Sequence, residues 1–400
     1  MKHFTKSFTQ QESIPEAGIQ AATEVMRGGR LHRYNALGDE KTETELLELE
    51  FAESLGVPYC LACSSGGYAL HIAMRAAGVK TGDKVLCNAF TLAPVPGAIH
   101  NSGAVPILVD VAEDYCIDLD HLEAQAKASD AKFFMLSHMR GHIADMDRIM
   151  EICQRYDIFL IEDCAHTMGA SWNGKNSGTF GDIACFSTQT YKHINSGEGG
   201  FLTTQHPEIM AKAIIYSGSY MLFKRHLAAP PKETFENIRF ETPNYSGRMD
   251  NLRAAILRPQ LQDLKQQCDR WNARYRVLES VLQKSNAINI PSRPKKEQFV
   301  ASSIQFSVPS FNREQIQSFQ DQCAVRGVML KWFGGAEPTG YTSRYDSWKY
   351  LQNMPQLPKT EAILETLMDM RIPLTFELDD CELIAEIIVE VANDVMNSKA

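Results

Sequence analysis

Between residues 57 and 203 short apolar runs alternate with longer amphipathic ones, and this rhythm leaves few architectures open to the chain. Residues 57–63, 84–87, 105–109, 133–136, 158–161, 183–187 and 200–203 read as strands. Residues 69–77, 96–101, 119–126 and 146–156 read as the helices between them, with a further helix over 42–55. About seven strands, most joined by helices, predict an α/β fold with a mostly parallel sheet covered on both faces. Ligands of such sheets bind beyond the carboxyl ends of the strands, so chemistry is sought just after each run.

A chain of 400 residues is long enough for more than one domain. A long helical stretch over 250–283, with Pro259 its one breaker, places the boundary near residue 250. This gives a large domain over 1–249, which includes the N-terminal segment, and a smaller α/β domain over 250–400. In the latter, 302–308 and 327–332 read as strands and 313–322, 359–370 and 381–396 as helices. The net charge of −9 offers no basic excess to neutralise nucleic-acid phosphates. No apolar run reaches the ~18 residues of a membrane span, and residues 1–20 lack a signal-like apolar stretch. A cytoplasmic protein is expected, its ten cysteines reduced and packed as small core residues.

Three segments carry chemistry. Asp163 closes one strand, in Ile161-Glu162-Asp163-Cys164-Ala165-His166. Alone, such an acid is more often a helix cap. Lys192 follows another strand, in Phe186-Ser187-Thr188-Gln189-Thr190-Tyr191-Lys192, ahead of the glycine-rich 196–200. Most lysines are solvated surface charges, but one whose pKa is lowered by burial can act as a nucleophile. Ser64-Ser65-Gly66-Gly67 links a strand to a helix and presents N–H groups to an anion, although a simple N-cap would look the same. Together an anion cradle, an acid and a lysine at strand ends suit pyridoxal 5'-phosphate.

Over residues 14–264 the chain resembles the sugar aminotransferases of the DegT/DnrJ/EryC1/StrS family, of the aspartate-aminotransferase-like fold. The resemblance rests on 31–56, on Ser64-Ser65-Gly66 with Ala69-Leu70-His71, and on Gly103-Ala104-Val105-Pro106 through Val109-Asp110-Val111. It continues through Ala144-Asp145-Met146, Glu162-Asp163-Cys164-Ala165-His166 with Gly169, Phe186-Ser187, Lys192, Glu198-Gly199-Gly200 and Arg248-Met249-Asp250. It implies that Lys192 is the Schiff-base lysine and that Asp163 holds the pyridine nitrogen. His166 is then the contact of the ring hydroxyl, and Ser65, Gly66, Gly67 and Ser187 hold the phosphate. Family members often carry threonine at the position of Gly67. The ring-stacking position falls within 90–92, where Phe90 is the one aromatic residue. A homodimer with shared active sites is implied, with Asn244, or Ser246 beside it, reaching the neighbouring subunit's phosphate.

The resemblance further implies that the amino group moves from L-glutamate to a keto or aldehyde sugar. Arg30, His32, Arg33, His138, Arg140 and His142 form a cationic group near the expected mouth, which suggests an anionic acceptor. The specific expectation is 8-oxo-3,8-dideoxy-manno-octulosonate, giving the 8-amino sugar of bacterial lipopolysaccharide. A nucleotide-linked keto-hexose is the alternative. A sugar dehydratase of the same family is disfavoured because Lys192 stands where those enzymes carry histidine. A zinc site built on His138, His142, Asp163 and His166 is disfavoured because Arg140 lies between the first two. A non-enzymatic cofactor-binding regulator is disfavoured because no basic stripe is present.

Overall fold

The computed structural model describes residues 2–351 and 354–398. Seven strands build the main sheet: β1 (Tyr59–Cys63), β2 (Lys84–Asn88), β3 (Val105–Val109), β4 (Phe133–Ser137), β5 (Phe159–Asp163), β6 (Ile183–Ser187) and β7 (Gly200–Thr204). Their order is β1-β7-β6-β5-β4-β2-β3. β7 pairs antiparallel with both neighbours, and every other pairing is parallel. The expected mostly parallel, seven-stranded sheet is therefore the one that forms.

Side-chain alternation along each strand divides the core in two. Val85, Cys87, Met135 and Ile161 face one apolar cluster, while Leu86, Phe134, Leu136 and Leu160 face another. Both faces are buried, which is why these strands read as continuous apolar runs. The helices begin where side chains can satisfy their free N–H groups. Thr42 and Glu45 form a capping box at α2 (Glu43–Leu55), the helix after α1 (Glu16–Gly28). Ser65 caps α3 (Gly66–Ala76) by accepting from the Tyr68 N–H at 3.0 Å.

The expected helix over 250–283 is two helices, Asn251–Gln262 and Leu264–Leu282, that meet at Asp263. The smaller sheet has Leu367–Arg371 at its centre, between Ser303–Ser307 and Lys331–Trp332. This corrects two expectations. The helix over 359–370 ends at Glu365, and its last part is the central strand. The strand over 327–332 shrinks to Lys331–Trp332.

A third correction concerns the N-terminus. Phe4 and Phe8 meet Phe376 edge-on, at 4.9 and 5.0 Å between ring centroids, inside the core of the smaller domain. The first ten residues thus pack with the second domain, and α1 packs on Asn251–Gln262, which also packs on α2 and joins the core of the large domain, so the boundary falls after that helix and not at 250. All ten cysteines are unpaired and buried. Among the described residues, no helix is long and apolar enough to cross a membrane.

Candidate active site

Parallel strands point the same way, so the loops after β1, β4, β5 and β6 gather at one edge of the sheet. Asp163 ends β5 there. Its carboxylate accepts from the Ser137 hydroxyl at 3.0 Å and from the Ala165 N–H at 3.1 Å. Burial pushes this carboxyl up, and the Ala165 N–H, the charge of Lys192 and the Ser137 hydroxyl pull it back. Lys192, in the loop after β6, lies 2.7 Å from His166 Nε2. Burial lowers its amine to about 7; Asp163 opposes that fall, while Arg140 and Arg371 add to it. His166 is pushed well below its ordinary value by burial and by Lys192, so the ring is neutral and Nε2 accepts from the amine.

Lys192 opens into a cavity of about 180 Å³ lined also by Leu92, Arg140, His166, Tyr341 and Arg371. The acid, the lysine and the histidine expected from the sequence are therefore brought together.

The anion cradle is built from close backbone approach. A Cβ on Gly66 would lie 2.8 Å from the Ser187 Cβ, so only glycine lets the start of α3 meet the end of β6. A Cβ on Gly67 would meet Pro94 at 3.5 Å and the Ser65 Oγ at 4.0 Å, ordinary contacts that leave room before the helix N-terminus. Ser65 and Ser187 set hydroxyls at the same edge. Their side chains accept from Tyr68 N–H and Gln189 N–H, and each keeps its own proton to donate. A phosphate fits N–H groups, hydroxyls and a helix dipole in this arrangement, and a protonated pyridine fits the buried carboxylate. The residues present fit pyridoxal phosphate.

Other expected residues lie elsewhere. Phe90 does not reach the cavity, because it is buried edge-on against Phe333 at 4.9 Å. Leu92 lines the cavity in its place. Arg33 is fully buried and held by Glu48 at 2.8 and 2.9 Å, so it cannot meet a substrate. Arg30 pairs with Glu40, and His32 lies exposed beside Tyr34. His138 is buried against Glu162 at 3.2 Å, and His142 against Gln305 at 2.8 Å. Asn244 is exposed and accepts from the Ser246 N–H at 2.8 Å, outside this chain's cavity. Arg140 alone of the cationic group lines the cavity, and Asp369 and Tyr341 already hold it. His138, Glu162 and Cys164 form a compact buried group, but Glu162 also accepts the N–H groups of Gly178, Phe180 and Gly181, so it works as a latch for that turn.

Arg371 and Tyr191 were not foreseen. The Arg371 guanidinium lies 3.6 Å from the Tyr191 ring centroid, and no carboxylate pairs with it among the described residues. The lysine itself gives a direct test. In the apoprotein, reductive trapping of pyridoxal phosphate on Lys192 should rise with pH around a midpoint of about 7, not the ordinary 10.5. Mass spectrometry of the trapped peptide reads this, and a midpoint near 10.5 would refute the buried environment.

Fold and site together define a pyridoxal-phosphate enzyme of the aspartate-aminotransferase fold type. The chain belongs to the DegT/DnrJ/EryC1/StrS aminotransferase family, whose sequence pattern matches residues 12–389. It is 35% identical over 216 residues to a GDP-perosamine synthase of Caulobacter vibrioides, covering 54% of this chain and 55% of that protein. It is 31% identical over 257 residues to an L-glutamine:2-deoxy-scyllo-inosose aminotransferase of Streptomyces kanamyceticus, covering 64% and 58%. The chain thus spans little more than half the length of these curated relatives. Its fold matches that of 3-amino-5-hydroxybenzoic acid synthase with a TM-score of 0.81 at 24% identity, over 96% of this chain and 99% of the other.

Proposed function

We propose that the protein moves an amino group from L-glutamate to the carbonyl of a sugar, with pyridoxal phosphate held at Lys192. The observation that carries this reading is the Lys192 amine, lowered to about 7 and paired with a neutral histidine 2.7 Å away, in a cavity that also feels the charge of Asp163. Asp163 would hold the ring nitrogen, His166 is assigned the ring hydroxyl, and Ser65, Gly66, Gly67 and Ser187 the phosphate. Bound there, the cofactor supplies an electron sink for charge left on the carbon that loses a proton. The chain's own groups do the rest. The lowered amine of Lys192 suits Nζ to accept a proton from the donor's α-carbon and, with the cofactor bound, to deliver it on the far side of the linking nitrogen. His166 Nε2 steers that amine. As a carboxylate, Asp163 would hold the proton on the ring nitrogen. Leu92 supplies an apolar wall, and unpaired Arg371 faces the donor's carboxylate.

The acceptor in this reading is 8-oxo-3,8-dideoxy-manno-octulosonate, for lipopolysaccharide. An acidic sugar suits a site whose lining carries the unpaired Arg371 and, beside Tyr341, the amine of Lys331. The name of the GDP-perosamine synthase favours a nucleotide-linked keto-hexose as the second reading. The test is a coupled assay of L-glutamate and L-glutamine against free and nucleotide-linked carbonyl sugars. Turnover of a nucleotide-linked hexose without activity on the eight-carbon acid would remove the first acceptor, and loss of water without amine transfer would remove the aminotransferase reading. Arg371→Ala should raise the KM for glutamate about tenfold to a hundredfold, as expected for a lost charged hydrogen bond of ~1.5–3 kcal/mol, with kcat changed less. An unchanged KM would take Arg371 out of the donor site.

A homodimer is part of the same proposal. Phe240, in the segment that carries Asn244, is 77% exposed, and Tyr220, Met221 and Leu222 expose a second apolar run that a second copy would cover. Light scattering should give twice the 44.9 kDa chain mass, and an active species of one chain would contradict it.

A further inference from the structure

A second and larger cavity, of about 450 Å³, lies on the other side of Tyr341, which lines both. Four cations line it, Arg313, Lys331, Arg344 and Lys349, against two acids, Asp346 and Glu365. The balance is 4 − 2 = +2, on a chain whose net charge is −9. The acids are already engaged: Arg313 holds Glu365 at 2.6 Å and Arg344 holds Asp346 at 2.7 Å. The excess charge therefore resides on Lys331 and Lys349, neither of which pairs with a carboxylate among the described residues. Lys331 donates only to the carbonyls of Thr339 and Tyr341. Its amine lies 3.9 Å from the Tyr341 ring centroid, so it stands at the wall between the two cavities. Burial lowers it to about 8 despite the nearby charge of Asp369. A half-buried cation without an anion is a poor way to stabilise a fold and a good way to receive a charged ligand.

We propose that this outer cavity is the acid-binding compartment for the acceptor, taking an anionic group that lies several atoms away from the carbonyl at Lys192. The inference rests on the aminotransferase reading above and adds where the second substrate's charge is held. Its volume is in the range of ligand pockets and exceeds what a small inorganic anion fills. A molecule with its carbonyl at Lys192 and its chain running past Tyr341 would bring its far end to Lys331 and then Lys349. A sugar carboxylate and a nucleotide diphosphate both supply the required charge.

The test uses the full-length holoenzyme and two unreactive probes, 3-deoxy-manno-octulosonate for the carboxylate and GDP for the diphosphate. Calorimetry should show one of them binding, and which one binds identifies the source of the charge. Lys349→Met, which removes an exposed cation and no packing, should weaken that probe about tenfold, one lost charged contact. Amine labelling of Lys331 against pH should shift upward from its midpoint of about 8 when the probe is bound, a change that a purely structural lysine would not show. Failure of both probes to bind, equal binding by Lys349→Met, or an unmoved midpoint would overturn the compartment. Absence of the glutamate half-reaction in the wild-type protein would instead overturn the aminotransferase reading on which it rests.

Discussion

Lys192→Ala is expected to slow the glutamate half-reaction by a factor on the order of 10⁴ or more, because in the proposed reaction it removes both the cofactor's attachment and the group that moves the proton. Single-turnover formation of 2-oxoglutarate measures this. The same substitution should leave thermal stability equal or higher. Burial disfavours the charged amine, so its loss removes a desolvation cost and no ion pair, since Lys192's short contact is to neutral His166. A folded variant with wild-type turnover would end the assignment of Lys192. A variant that is merely unfolded would show in the melting curve, and partial rescue by an added small amine would separate loss of the proton shuttle from loss of structure.

Glu48→Gln should be the most destabilising single-atom change in the large domain, at about 3–5 kcal/mol, because it leaves a buried guanidinium uncompensated. Glu48 and Arg33 are both fully buried, and Glu48 also accepts from the Ala62 N–H at 2.8 Å and meets His226 Nδ1 at 3.0 Å. Burial would push the Glu48 carboxyl up, but Arg33 and His226 hold it down at about 2. Its folded value is therefore below the ordinary 4.5, so its stabilising effect is complete above that value and is lost as pH falls toward 2. Denaturant titrations from pH 6 down to pH 3 should show that acid sensitivity in the wild type and less of it in Glu48→Gln. A variant within about 1 kcal/mol of wild type would mean that the pair is not buried as described.

The sequence made the large domain legible because its strands are buried on both faces and so stand out as apolar runs, with chemistry confined to the polar residues that follow. That rule points to the segments of Asp163 and Lys192, and their combination with the Ser64–Gly67 turn and the family resemblance gives them roles. Arg371 could not be found this way. It ends a strand whose residues, Leu367-Met368-Asp369-Met370, include good helix formers and follow directly on a helix, and only pairing with Ser303–Ser307 makes them extended. Arg33 was misread for the opposite reason. Its local surroundings look like a polar surface segment, and its partner Glu48 lies 15 residues away on α2. Phe90 is the one aromatic residue near the ring-stacking position although alignment with the family puts Leu92 there, and it is Leu92 that lines the cavity.

The way the N-terminal residues join the smaller domain affects how the chain can be trimmed. Lys2 pairs with Glu386 and Glu390 on Leu378–Asn397, the last helix, and Phe4 donates its N–H to the Arg326 carbonyl at 2.9 Å. The segment around Lys2–Phe8 and the last helix are thus anchored to one body. A truncation that removes Phe4 and Phe8 would strip aromatic packing from a domain whose remaining residues come after Gln262.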